Sequence, residues 1–356
     1  MKKLCVIFGG LSCEHDISII TAMQLKKNIL KPIEMLYLGL DNKFYLATEA
    51  ESVSDFKNKR TLKFKQVVLY DGAVYKKGLT FKKLFDIDCV INCCHGGVGE
   101  NGDLSGFFAV NKIRHTSSKS LPAHVAMDKN LCKQCVSEIV PTIKGNLVKK
   151  SNFNEKIMEI DKNFADFLII KPNSLGSSIG VMACDKQNFK HQISAIFELG
   201  DDALVEERVV DIVEYNQACF KDGESLVLSA IESPKTKSDF LTFEDKYKSE
   251  GKTKGFDREL PAKIGKNLQS QIGEYTKKIY SQLNLDGVVR IDYIFDKKTG
   301  VLYFNEVNTV PGSLAFYLFE PLGIDYQTLI DKIVASSSVD KTFKYFETDI
   351  LNFKKL

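Results

Sequence analysis

The 356-residue chain has no apolar stretch approaching the roughly 20 residues that a membrane-spanning helix needs. Its formal net charge is only +3 and its lysines are scattered, which leaves no electrostatic footprint for nucleic acid. There is no long linker, repeat or low-complexity tract, so the modules are expected to pack into one body. No G-x-x-x-x-G-K-[ST] phosphate loop occurs. No secretory leader is expected. Met1-Lys2-Lys3 opens like one, but a five-residue apolar run then meets Gly9-Gly10 and reads as a first strand. Nine cysteines, odd in number and dispersed, argue for reduced cytoplasmic thiols and against a disulfide framework. Cys132-x-x-Cys135 has no second pair to close a zinc site, and it continues a helical pattern with Met127, Leu131 and Ile139.

What is present is ordinary soluble material, 44% hydrophobic and 27% charged, long enough for two or three domains. Residues 4–8, 35–40 and 89–94 read as apolar strands, with helical patterns at 17–28 and 102–110. That alternation predicts a doubly wound α/β module over 1–117. Residues 44–85 are irregular, with short strand candidates at 66–70 and 73–75. A central unit, 118–206, opens on a helix across 124–139. Ser151 is a candidate cap for a helix at 153–160, and strands at 167–171 and 179–183 flank a Gly- and Ser-rich loop. The last unit, 207–356, carries strands at 211–220 and 225–232, a helix over 262–283, a hairpin and a helix near 325–335.

That hairpin, Arg290 to Asn308, is the most informative segment. Two β-branched and aromatic runs flank a polar stretch ending in Gly300. If Phe295 pairs with Val301, Arg290, Asp292, Glu306 and Asn308 share one face. Two carboxylates and an amide oxygen suit Mg²⁺, and a neighbouring guanidinium can stabilise a developing oxyanion. The same pattern would also fit a surface ladder of ion pairs.

Other residues gain meaning only together. The loop from Lys171 to Gly180 could present backbone N–H groups and the hydroxyls of Ser177 and Ser178 to phosphates, or be an exposed turn. Lys129 opens a helix, and Lys246-Tyr247 lies in a polar loop, 242–255, of lid-like length. Each lysine alone could be a solvated charge; together they could offset a triphosphate. Glu14 follows the Gly9-Gly10 turn, and His95 to Gly102 ends the strand 89–94, both at the edge where open α/β sheets bind ligands. Helix capping by Glu14 or Asp16, and a tight turn at His95, are the alternatives.

In order and spacing these pieces resemble the D-alanine–D-alanine ligases of the ATP-grasp fold over essentially the whole chain. The matching segments are Gly9-Gly10 with Ser12 and Glu14, His95-Gly96 to Gly102, and Met127-Asp128-Lys129. They continue through Lys171-Pro172 to Gly180, Glu206-Glu207, Lys246-Tyr247, Arg290-x-Asp292, and Glu306-x-Asn308-Thr309-x-Pro311-Gly312. The resemblance implies an α/β, three-module ATP-grasp enzyme that makes D-alanyl-D-alanine for peptidoglycan through a D-alanyl phosphate. It implies a homodimer acting on ATP and D-alanine, with no nucleic-acid or membrane partner.

By the same resemblance, Asp292, Glu306 and Asn308 would hold two Mg²⁺ (or Mn²⁺), and Arg290 and the Gly312 N–H would stabilise the oxyanion. Lys129, Lys171, Lys246 and Ser178 would meet ATP phosphates. The Glu206-Glu207-Arg208-Val209 crossing would meet adenine, and Glu214 the ribose. Glu14 and His95 would take the first D-alanine, and Glu14, Ser177 and Tyr247 would form a hydrogen-bonded triad. Tyr247 favours a dipeptide product over D-alanyl-D-lactate. Leu175 stands where many relatives carry Glu, and Ser313 is the candidate for the second substrate's carboxylate. A nucleotide-binding regulator without turnover would lack metal ligands that are present here. A thiol-based metal or redox protein would rest on Cys132 and Cys135.

Overall fold

The computed structural model describes residues 2–59, 64–235 and 258–339. The first sheet contains β1 (Lys2–Gly9), β2 (Ile33–Leu38), β3 (Phe44–Leu46), β4 (Lys65–Tyr70), β5 (Ala73–Lys76) and β6 (Lys82–Asn92). β1 pairs in parallel with β2 and β6, the arrangement expected of an α/β module. Cys5 to Phe8 are fully buried, as a strand covered on both faces requires. The stretch 44–85 proves more regular than its composition implies. Its strands form an antiparallel meander, and the 11-residue β6 pairs with β5 at one end and β1 at the other, closing the sheet into a barrel.

The second sheet runs β7 (Gly145–Val148), β10 (Ala203–Glu207), β8 (Phe167–Pro172) and β9 (Met182–Asp185) in spatial order, with antiparallel neighbours. Ile157, Ile160, Phe189, Ile193 and Ile196 from helices Phe153–Asn163 and Phe189–Glu198 pack on one face, leaving the other to the site. β9 begins later than the expected 179, because Ser177 and Ser178 take left-handed φ of 56° and 57° and keep the flap turning. The expected helix over 124–139 is two, Ser120–Met127 and Lys129–Val136. Asp128 leaves helical geometry between them, and its side chain accepts the Leu131 N–H as an N-cap. Ser151 does not cap the following helix; Asn152 holds that position.

The third sheet has the order β13 (Arg258–Glu259), β12 (Ser225–Pro234), β11 (Ile212–Asp222), β14 (Val289–Asp296) and β15 (Leu302–Asn308). Helix Lys266–Gln282 covers one face through Ile272, Ile279 and Tyr280. A further core joins this unit to the first: Phe8, Ile19 and Met35 pack with Phe220, Leu318, Phe319 and Leu329. Phe220 and Phe319 meet edge to face with centroids 5.2 Å apart. That shared core fixes β1 and β6 against the end of the β14–β15 hairpin. Among the described residues, no helix is long and apolar enough to cross a membrane.

Candidate active site

The hairpin pairs Phe295 with Leu302, one residue off the expected Val301. Continued without a break, that register would set Asp292 opposite Asn305 and turn Glu306 to the far face. A bulge intervenes. Tyr293 pairs with Phe304, then Asp292 with Glu306 and Arg290 with Asn308, leaving Asn305 as the extra residue. Tyr293 and Phe304 go fully into the core, while Arg290, Asp292, Asn305, Glu306 and Asn308 all line one cavity of about 610 Å³. The polar face predicted from parity is real, but a bulge rather than a regular ladder creates it.

The face extends across the sheet beyond the predicted residues. Glu232, Asn216, Asp292 and Glu306 are successive cross-strand partners on β12, β11, β14 and β15. Arg290 clamps Asp292 with two hydrogen bonds of 2.7 Å, and Asn308 Nδ2 donates to Asp292 Oδ2 at 3.1 Å. Burial alone would discourage the Arg290 charge, but Asp292 outweighs it and holds the guanidinium firmly cationic. At the far end Glu232 accepts from the Tyr317 hydroxyl at 3.1 Å and meets Arg258 at 3.3 Å. Asn216 and Glu232 were not singled out in the sequence. Neither sits in a motif, and only strand pairing brings them into the row.

The opposite wall comes from the second sheet. Lys171 on β8 pairs with Glu206 on β10 at 2.7 Å and reaches across to Asn305 Oδ1 at 3.2 Å. Lys133 joins the other oxygen of Glu206, and both of these side chains are almost wholly buried. Burial would raise the Glu206 carboxyl, yet Lys133 and Lys171 bring it down to about 2. Lys129 lies 3.6 Å from Glu306 and donates to the Leu175 carbonyl at 2.7 Å. Lys133 is a residue that sequence reading missed. Its position four residues after Lys129 on one helix was the available signal.

The N-terminal module closes the third side. The Ser177 hydroxyl donates to Glu14, itself buried at 7% exposure, so the flap is tied to the first helix. Gly176 and Gly96 permit this approach. A Cβ at either would stand 2.7 Å and 2.6 Å from a Glu14 carboxylate oxygen. His95 bonds Val310 O at 2.6 Å and Thr21 Oγ1 at 2.8 Å, and burial lowers its basicity, leaving a neutral imidazole. Glu100 accepts the Gly96 and Val310 N–H groups at 3.0 Å each, while burial and then Glu14 push its carboxyl up to about 7.

The segment after the hairpin turns in a left-handed sense. Ser313, Leu314 and Ala315 have φ of 51°, 51° and 50°, a conformation costing roughly 1–2 kcal/mol per residue. Leu314 and Ala315, buried in the shared core, anchor the turn, and Gly312 is thereby held on the cavity wall. The Ser313 hydroxyl donates to Gln24 at 2.6 Å.

Every predicted site residue within the described part of the chain lines this single cavity, including Ser178, Glu207, Val209 and Glu214. Lys246 and Tyr247 lie outside the described residues. The donor set fits a hard divalent cation. Two facing carboxylates and an amide stand across from Lys129, and Asp292 keeps lone pairs beyond those given to Arg290 and Asn308.

Two antiparallel sheets closing on one cavity, lysines on the first and carboxylates on the second, define an ATP-grasp protein. Residues 3–118 match the D-ala D-ala ligase N-terminus family and residues 137–335 the D-ala D-ala ligase C-terminus family. The chain belongs to the D-alanine–D-alanine ligase family. It is 31% identical over 97% of its length to the D-alanine–D-alanine ligase of Campylobacter jejuni subsp. doylei, and covers 97% of that protein. The crystal structure of the Helicobacter pylori D-alanine–D-alanine ligase superposes with a TM-score of 0.79 at 26% identity, over 96% of this chain and 100% of that one. The VanG D-Ala:D-Ser ligase of Enterococcus faecalis, 24% identical with a TM-score of 0.80, has the same fold over 94% of this chain and 98% of its own.

Proposed function

We propose that the protein joins two D-alanine molecules at the expense of ATP, yielding D-alanyl-D-alanine, ADP and phosphate. The observation that carries the reading is the facing of two walls: the Arg290–Asp292–Glu306–Asn308 row and the Lys129–Lys171 pair line one cavity. Modules spanning 1–117, 118–206 and 207–356 would supply its three sides.

In this reading the nucleotide lies between the second and third sheets. Backbone groups of Glu206 to Val209 meet the adenine, Glu214 the ribose, and Lys129, Lys171, Lys246 and Ser178 the phosphates. Mg²⁺ held by Asp292, Glu306 and Asn308 would neutralise phosphate oxygens. Glu14 takes the ammonium of the first D-alanine, and neutral His95 lies beside its carboxylate. That carboxylate attacks the γ-phosphorus and the bond to ADP breaks. The amine of the second D-alanine then attacks the acyl carbon, loses a proton and expels phosphate. Arg290 and the Gly312 N–H face the oxygen that gains charge in this second step. Ser313 remains the candidate for the second carboxylate, and Tyr247 would complete the triad with Glu14 and Ser177.

The reading includes a homodimer acting in the cytoplasm on small molecules. Nine free thiols accord with a reducing compartment. Purified protein with Mg-ATP should release phosphate only when D-alanine is added, and the product should have the mass of the dipeptide. Phosphate release indifferent to D-alanine would defeat the proposal. Supplying D-lactate, D-serine or glycine beside D-alanine reads out the second site, and a mixed product outcompeting the dipeptide would reassign the enzyme to another carboxylate–amine or depsipeptide ligase.

A further inference from the structure

We infer that Lys133 is a positioning residue for nucleotide binding: it holds the charge of Glu206 so that Lys171 is free to turn to a phosphate. The inference rests on the proposed role of Lys171 as a phosphate ligand. Its observations are the geometry of one buried triad. Glu206 gives one carboxylate oxygen to Lys133 and the other to Lys171, and all three side chains are less than a tenth exposed. Lys171 and Glu206 line the cavity, whereas Lys133 is not among its lining residues and stands behind them on helix Lys129–Val136. It therefore acts through Glu206 and not on the ligand.

The chemistry follows from the count of charges. Two ammonium groups share one carboxylate, so the cluster carries one surplus positive charge facing the cavity. With Lys133 in place, Lys171 can swing to an anionic oxygen while Glu206 keeps a counter-ion. Without Lys133, the same movement strands a buried, unpaired carboxylate, which is strongly unfavourable. Lys171 would then stay locked on Glu206, and that pair would offer the cavity no net charge, leaving Lys129 alone on the wall. Strand pairing fixes this choice. Lys171 faces Leu204 across the β8–β10 ladder, and Glu206 is two residues further along the same face, within diagonal reach. The one-turn offset between Lys129 and Lys133 sends two lysines of one helix to two different carboxylates, Glu306 and Glu206.

The test compares ligands that carry phosphates with one that does not. Binding of ATP, ADP and adenosine would be measured by calorimetry on the parent, Lys133→Met, Lys133→Arg and Lys171→Met proteins, with thermal unfolding recorded for each. Lys133→Met is expected to weaken ATP and ADP by about tenfold or more while adenosine stays within about twofold. Lys133→Arg should recover most of the loss. Equal weakening of all three ligands would show a merely structural role and overturn the inference, as would unchanged ATP binding. If Lys171→Met also leaves ATP binding unchanged, the phosphate role of Lys171 itself fails. If Lys171→Met weakens ATP but Lys133→Met does not, that role stands and only the inference falls. Should Lys133→Met prove unfolded, Lys133→Arg with normal phosphate-ligand affinity supports the charge argument, and a loss equal to that of Lys171→Met rejects it.

Discussion

The two sheets that enclose the cavity are built alike and charged oppositely. At the second sheet Lys171, and Lys133 from the helix behind it, share the single carboxylate of Glu206, leaving a positive surplus. On the third, Glu232, Asp292 and Glu306 outnumber Arg290 and Arg258 along one row. Lys129 and Glu306, 3.6 Å apart across the cavity, offset part of the two surpluses, and the remainder is costly to bury. The cost is tolerable when the missing counter-charge arrives with the ligand, anions for one wall and cations for the other. A polyphosphate carrying divalent metal supplies both at once, which is why the two sheets need each other.

The largest expected effect comes from stripping the negative wall. Glu306→Gln removes a carboxylate facing Asp292, and D-alanine-dependent phosphate release should fall by about 10³-fold, since a metal's Lewis-acid contribution is worth several kcal/mol. Raised Mg²⁺ should restore part of it. Loss insensitive to Mg²⁺ would separate Glu306 from metal binding.

Arg290→Met is next. Removing one transition-state donor typically costs about 10²-fold in kcat, with a smaller change in the KM for ATP. A change confined to KM would place Arg290 with substrate binding and blur the contrast between the walls.

Glu100 lies where the first module meets the segment after the third-sheet hairpin, and its effect is on stability. A free Glu titrates near 4.3, whereas in the folded chain burial, and then Glu14, raise Glu100 to about 7. Between those values the folded state binds more protons than the unfolded one, so this group's contribution to stability falls as pH rises through that window. Urea unfolding of Glu100→Gln and parent should therefore show the variant's relative stability increasing from pH 5 to pH 8. A difference independent of pH would contradict the raised carboxyl.

The smallest effect belongs to the thiols. Cys132 is buried in the third-sheet core and Cys135 is half-buried, so Cys132→Ser with Cys135→Ser should leave turnover near normal. Abolished activity in a folded double variant would revive a role for the pair.

Much of this site was legible because β-strand parity is strict: Arg290-x-Asp292 and Glu306-x-Asn308 each had to share a face whatever the register. What parity could not reveal was the bulge, since nothing local marks Asn305 as the extra residue. Asn216, Glu232 and Lys133 escaped for a related reason. Each owes its place to a partner distant in sequence, and only Lys133, one helical turn after Lys129, carries a spacing that hints at it. The helix break at Asp128 was readable in principle from its capping side chain, but the apolar period runs through it and masked the stop. The meander over residues 44–76 was the least legible, because its strands, three to six residues long, carry too few residues to establish a period.

The surplus residue at Asn305 has one more consequence. Its side chain reaches Lys171 on the facing sheet, making it a rivet between the jaws of the clasp. Excising that residue would regularise the ladder and leave Glu306 opposite Asp292, so each jaw would keep its own chemistry. The two would lose a stitch that ties one to the other across the cavity.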